Sequence, residues 1–100
     1  MAYTSKFKSK ANDELFRAIL ALDNSEECYK FFEDLMTIKE LQSIAQRWEV
    51  ARMLREGKTY HEIEAETKAS AATISRINKC LLYGADGYQS ILKKLDSTHA

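Results

Sequence analysis

The sequence has 100 residues, no proline, only three glycines, and 15 basic against 15 acidic residues. A chain of this length is the size of one domain and buries a modest core. Because turns in sheet proteins draw heavily on glycine, proline and asparagine, the composition argues against a sheet and predicts an all-α fold. The net charge of zero does not favour DNA binding, since many DNA-binding domains are strongly basic. The charge is unevenly distributed, however, and Lys6, Lys8 and Lys10 predict a basic, flexible arm over residues 1–10.

The first ten residues, MAYTSKFKSK, contain no apolar run resembling a signal peptide, and no apolar segment is long enough to span a bilayer. We therefore expect a cytoplasmic protein without membrane contact. Cys28 and Cys80 match no metal-binding or redox spacing. A disulfide between them stays open, but free, buried thiols in a reducing compartment are the favoured interpretation.

Six helices are predicted from the spacing of apolar residues and from capping residues. They span residues 12–22, 25–36, 38–56, 60–67, 71–83 and 87–95. Four helix starts have the pattern of a capping box, in which two side chains three residues apart satisfy each other's backbone donors. The pairs are Asn24 with Glu27, Thr37 with Glu40, Thr59 with Glu62, and Asp86 with Gln89.

An apolar stripe on each of the first three helices and on the last helix is predicted to be buried. The stripes contain Leu15, Phe16, Ile19 and Leu22; Tyr29, Phe32, Leu35 and Met36; Ile38, Leu41, Ile44, Ala45, Trp48, Ala51 and Leu54; and Tyr88, Ile91, Leu92 and Leu95. Val50 and Met53 fall off the stripe of the third helix, so this helix needs more than one neighbour. A second copy of the chain can supply that neighbour, and the sequence predicts a homodimer.

Residues 59–83 have the layout of a helix-turn-helix: a short helix, a tight connection and a second helix. The positions expected to face inward are apolar or small: Ile63, Ala69, Ile74 and Ile77. The first turn of the second helix is small and hydroxylic, which suits entry into the major groove and contact with base edges. Arg76 and Lys79 are expected to reach phosphates, which supply affinity but little sequence information. A plain helical hairpin whose serines and threonines face solvent is the alternative.

Residues 36–82 resemble the Trp repressor family, specifically its repressor-related branch. The resemblance rests on AATISR in the second helix of the helix-turn-helix and on MTIKEL and REG at the two ends of the long helix. It implies an intertwined homodimer with one helical domain over residues 11–96, and a palindromic operator in double-stranded DNA. The DNA-facing positions that it implies are His61, Glu64, Ala71, Ala72, Thr73 and Ser75. His61 and Glu64 stand where the family has basic residues, and Lys68 stands where many such turns have glycine. The positive charge missing at these two positions is expected to be supplied by other cations, namely Arg55, Lys58, Lys68 and Lys79.

The resemblance also aligns Thr37, Arg47 and Arg76 with residues that enclose an amino-acid corepressor in the family. Alternatively, the two arginines make surface ion pairs. The family pocket has a glycine after its second arginine, whereas this chain has Ile77, a stiff β-branched residue in the space of the ligand's ring. Cys80 replaces a serine hydroxyl with a poorer donor. We therefore expect a vestigial effector pocket, filled from within, and no binding of tryptophan.

Other classes of protein are less well supported. The sequence shows no catalytic triad pattern or glycine-rich phosphate loop, and we expect neither an enzyme nor a cofactor. His61 and His99 have no companion at metal-ligand spacing. Trp48 is expected in the core rather than in a ligand site. A DNA-binding transcriptional regulator, by resemblance a repressor, is favoured; a helical adaptor that binds a protein of the transcription machinery stays open.

Overall fold

The computed structural model describes residues 3–98, which form six α-helices and no strand. The helices are α1 (Lys10–Leu20), α2 (Ser25–Leu35), α3 (Ile38–Arg55), α4 (Tyr60–Thr67), α5 (Ala71–Tyr83) and α6 (Gly87–Thr98). The all-α prediction is confirmed, and both helices of the helix-turn-helix have their predicted ends. The other four differ from their predicted bounds by one to three residues at one or both ends. His99 lies outside the described residues.

Hydrogen bonds at the helix starts account for several of these bounds. α1 begins two residues earlier than predicted because the Ser9 side chain accepts a hydrogen bond from the Asn12 N–H at 3.0 Å. At α4, the Thr59 Oγ1 accepts from the Glu62 N–H at 3.1 Å, and the Glu62 carboxylate accepts from the Thr59 N–H at 2.9 Å. This completes the predicted capping box. The flexible arm stays a prediction; its last residue, Lys10, already belongs to α1, and residues 1–2 lie outside the described range.

The capping predictions at α2 and α6 need correction. At α2, the Asn24 side chain accepts from the Glu27 N–H at 2.9 Å, which is half of the predicted box. The Glu27 carboxylate, however, accepts from the N–H of Asp23 and not from the N–H of Asn24. At α6 the box is wrong. The Gln89 amide donates to a carbonyl of α5 at 3.3 Å, and Asp86 has φ of 72° rather than the extended backbone of an N-cap.

The chain forms two compact units, one ending at Thr37 and one beginning at Ile38. In the first unit, which contains α1 and α2, no described residue is buried. Phe16 is 55% exposed and Tyr29 is 66% exposed, so the predicted burial of these stripes is wrong for a single copy of the unit. Two short helices offer each other too little surface to exclude water from large side chains. The single domain over residues 11–96 stays a prediction.

The core of the second unit lies where α3, α4 and α5 meet. It contains Val50, Ala51, Met53, Ile63, Ala69, Ile74 and Ile77. All four predicted inward positions of the helix-turn-helix are therefore buried. On α3, however, the predicted burial of the stripe is largely wrong within the unit. Ile38 and Ile44 of the stripe are exposed, whereas Val50 and Met53, which lie off the stripe, are buried. The helix-turn-helix packs on the Val50 side of α3 and leaves much of the stripe uncovered.

α6 completes the second unit. Its Leu92 is buried, and its Tyr88 ring lies 6.2 Å from the Trp48 ring of α3, between ring centroids. Trp48 is half-buried in this aromatic contact, so it packs on α6 but lies outside the buried core in which it was predicted. Ile91 and Leu95 are exposed, so the predicted burial of these two residues is wrong within the unit. Arg55 at the end of α3 forms an ion pair with Asp96 of α6 at 2.6 Å. Within residues 3–98, no helix is both long and apolar enough to cross a membrane.

Candidate nucleic-acid interface

A three-residue connection, residues 68–70, joins α4 to α5. The C-cap of α4 is Lys68, whose backbone is left-handed with φ 67° and ψ 9° and whose N–H donates to the Glu64 carbonyl at 3.0 Å. The Thr67 hydroxyl accepts from the Ala69 N–H at 3.2 Å, and the Thr67 carbonyl accepts from the Gln46 side chain of α3 at 3.0 Å. These bonds, together with the burial of Ala69, fix the turn against α3 and set the direction in which α5 leaves it.

The helix α5 has one buried face and one exposed face. Ile74, Ile77 and Leu81 recur every three or four residues and are buried. The opposite face is exposed and contains Ala71, Ala72, Ser75, Arg76, Lys79 and Cys80. All predicted DNA-facing residues of α5 except Thr73 therefore lie on the exposed face.

Thr73 is half-buried, and it is held by the residue that caps α5. The Ser70 hydroxyl accepts from the Thr73 N–H at 3.2 Å and donates to the Thr73 Oγ1 at 3.1 Å. A hydroxyl both donates and accepts, so Thr73 Oγ1 can bond Ser70 and a base edge together. The sequence prediction missed this orienting role of Ser70, although an N-cap serine three residues before a threonine was the available signal.

The charges on the two helices differ. Arg76 and Lys79 are exposed and form no ion pair with any described residue, so both can reach an external anion. His61 is exposed on α4, and Glu64 is half-buried there. Arg55, one of the cations expected to compensate for Glu64, is already paired with Asp96. α5 therefore supplies two unpaired cations, whereas α4 supplies no lysine or arginine.

Another arginine of α3 has a structural partner. The Arg52 guanidinium donates to both carboxylate oxygens of Glu49, at 2.8 and 2.9 Å. This hydrogen bonding and the negative charge of Glu49 raise the pKa of Arg52. Arg52 stays cationic but is engaged within its own helix, so it adds little to an external anion site.

The residues predicted for the vestigial effector pocket are placed as follows. Thr37 is exposed and ends the first unit, whereas the other four belong to the second. Arg47 is half-buried, and neither it nor Arg76 forms an ion pair within the described chain, so the surface ion pairs expected as the alternative do not form there. Ile77 is completely buried in the core, and Cys80 is exposed.

The cysteines need one correction. Both Cys28 and Cys80 are free thiols, but Cys28 is half-buried and Cys80 is exposed, so the predicted burial is wrong for Cys80 in a single copy. It lies on the solvent-facing side of α5 because the buried face of that helix is already occupied by isoleucine and leucine. No group of acidic, histidine or cysteine residues in the described range could hold a metal ion.

Two helices joined by a short, hydrogen-bonded turn, the second presenting small, hydroxylic and basic side chains, define this chain as a helix-turn-helix protein. The model of the family described as Trp repressor protein matches residues 10–96, and the chain belongs to the Trp repressor family. The match extends the resemblance beyond residues 36–82 to include both helices of the first unit. The fold is that of a regulator family and not of a known enzyme family.

Individual relatives agree with this membership. Protein YerC of Bacillus subtilis (strain 168), described as uncharacterized, is 59% identical over 93 residues, which are 93% of this chain and 89% of YerC. A crystal structure of a candidate Trp repressor from Staphylococcus aureus has a TM-score of 0.86 and 52% identity, with 91% of each chain covered. A TrpR-like protein from Eubacterium eligens ATCC 27750 has a TM-score of 0.87 and 52% identity, covering 91% of this chain and 94% of that one.

Proposed function

We propose that this protein is a sequence-specific DNA-binding transcriptional regulator, by its family a repressor, that inserts the start of α5 into the major groove. The observation that carries the proposal is the division of α5 into a buried isoleucine face and an exposed face. That exposed face combines small residues with Ser75, Arg76 and Lys79. Small side chains allow close approach to the bases, and the two cations suit the flanking phosphates. With chromosomal DNA as its partner, the protein would act in the cytoplasm.

The operator is proposed to be a palindrome bound by a homodimer. In support, the first unit has no buried residue among those described, and Ile38 and Ile44 of α3 are exposed. A second copy that covers these surfaces would complete the helical domain over residues 11–96. Its two α5 helices would lie about 34 Å apart, the spacing in dimeric helix-turn-helix proteins, of which the Trp repressor is itself an example. The half-sites would then be one helical turn apart.

Binding to DNA is expected to weaken steeply as salt is added. With Arg76 and Lys79 of two copies on phosphates, at least about four counterions are released, and log K should fall with log salt with a slope of about −3.5 or steeper. Fluorescence anisotropy with a labelled duplex between low and physiological salt measures this slope.

The same titration tests the alternative function. α4 carries three glutamates and neither lysine nor arginine, which favours a helical adaptor that binds a basic protein surface. A chain that binds no duplex at low salt, or binds with a slope near zero, would contradict DNA binding and favour the adaptor.

We also propose that the regulator works without tryptophan. Ile77 takes the place of the glycine against which the ligand's ring lies in the family, and its side chain is fully buried between α5 and its neighbours. A ring placed there would overpack the site, at a cost of about 1–3 kcal/mol or more. Calorimetric titration with millimolar L-tryptophan should therefore give no saturable heat beyond the heat of dilution. Saturable heat, or tighter DNA binding when tryptophan is added, would show that the pocket opens.

A further inference from the structure

The turn between α4 and α5 has a backbone conformation that a lysine adopts at a cost. Lys68 and Asp86 are the non-glycine residues with positive φ in the described chain, and Lys68 lies in the left-handed region at φ 67°. There the Cβ of an ordinary residue crowds the following carbonyl, whereas glycine meets no such crowding. Residues held in such conformations often have a functional reason to be there.

The turn itself does not need the lysine side chain. Its hydrogen bonds use the Lys68 N–H, the Glu64 carbonyl, the Thr67 hydroxyl and the Ala69 N–H, all of which a glycine at position 68 would leave intact. The Lys68 side chain is exposed and forms no ion pair with another described residue. Within the structure, therefore, nothing that the side chain contacts offsets the cost of its backbone.

The charge of Lys68 is placed where the helix-turn-helix otherwise lacks one. From Thr59 to Ser75, Lys68 is the only lysine or arginine, while α4 contributes Glu62, Glu64 and Glu66. Lys68 also precedes the first residue of α5 by three positions, next to a helix N-terminus whose partial positive charge favours anions. In helix-turn-helix proteins the start of the second helix contacts base edges in the major groove and the first helix crosses the DNA backbone, so a residue in the turn between them is placed close to phosphates.

We propose that Lys68 is a phosphate-binding residue of the DNA interface. Its ammonium group supplies a positive charge that the acidic α4 lacks, and this contact with phosphate explains why a lysine occupies a position whose left-handed backbone is costly. The inference rests on the proposed DNA-binding function and adds a contact that α5 does not provide. The ligand is the phosphate backbone of the operator, so the contribution of Lys68 is to affinity and not to the choice of sequence.

Three variants, each measured for stability and for DNA affinity, test the backbone cost and the charge separately. Lys68→Gly removes both, and Lys68→Arg retains both. In the Lys68→Gly variant the unfolding midpoint in urea should rise. Its affinity for a duplex that the wild type binds should fall about tenfold at low salt, and the magnitude of the salt slope should fall by about two, one contact per copy. Lys68→Arg should bind like the wild type. Lys68→Asn, which is neutral but tolerates the left-handed region, should lose DNA affinity as the glycine variant does, which rules out added flexibility as the cause.

Lys94→Ala serves as the matched control, because it removes an exposed lysine of α6 and should leave the salt slope unchanged. A Lys68→Gly protein that binds the duplex with wild-type affinity and slope would overturn the Lys68 contact while leaving the proposed function intact. A Lys68→Gly protein less stable than the wild type would contradict the backbone cost and overturn the inference. Failure of the wild type itself to bind any duplex would overturn the proposed function, and the Lys68 contact with it.

Discussion

At micromolar concentration, light scattering is expected to give twice the mass of one chain. The reason is the first unit, residues 3–37 as described, in which large side chains such as Phe16 and Tyr29 remain more than half exposed. A unit of this size with no buried side chain gains little hydrophobic stabilisation by itself, whereas ordering its backbone is costly. A second copy is the partner proposed above for these surfaces. A folded, stable monomer at this concentration would contradict the expectation.

A substitution at Phe16 measures how much that association contributes. If the dimer buries the ring, Phe16→Ala should lower the free energy of unfolding by about 3–5 kcal/mol, the range for aromatic residues in a core. The unfolding midpoint in urea should also depend on protein concentration. Arg17→Ala is the matched control: Arg17 lies next in α1, and its pair with Glu14 at 3.3 Å is exposed on both sides, so the change should stay within about 0.5 kcal/mol. Equal changes in the free energy of unfolding for the two substitutions would mean that the Phe16 ring remains exposed to solvent and is not buried by association.

Local signals in the sequence were enough to predict the helix-turn-helix. Thr59 and Glu62 form a complete capping box, which gives the start of α4, and the spacing of Ile74 and Ile77 gives the buried face of α5. α1 begins earlier than its apolar spacing predicts, because the Ser9 side chain caps it. At α6 the sequence pattern was misleading, since Gln89 forms its bond with the preceding helix rather than with its own start.

Features that depend on distant residues could not be predicted. On α3, periodicity identified an apolar stripe, but it could not show that Val50 and Met53, off that stripe, are the side chains that the helix-turn-helix covers. The ion pair of Arg55 with Asp96 joins residues 41 positions apart, and it engages a cation expected at the DNA surface. In the site, the exposed face of α5 was predictable from helical spacing, whereas the fixing of Thr73 by Ser70 became evident from the structure.

Replacing Thr73 and Ser75 together by alanine is expected to remove sequence preference. Each lost base contact should cost about 1–3 kcal/mol on the preferred site, and a dimer loses each contact twice. Binding to unrelated sequences should change little, because Arg76 and Lys79 still reach phosphates. Bridging waters can reduce the effect, as in Trp repressor complexes themselves. Lys79→Ala is the matched comparison on the same helix, and it should weaken binding to all sequences alike.

The most direct test of sequence recognition by α5 is the selection of binding sites from a pool of random duplexes. The selection is carried out in parallel with the wild type and the Thr73→Ala/Ser75→Ala variant. The wild type should enrich palindromes whose half-sites lie one helical turn apart. The double variant should retain DNA in the selection but lose the preference at symmetry-related positions in the two half-sites. Enrichment of the same sites by both proteins, or of no common site by the wild type, would contradict the assignment of α5 as the recognition helix.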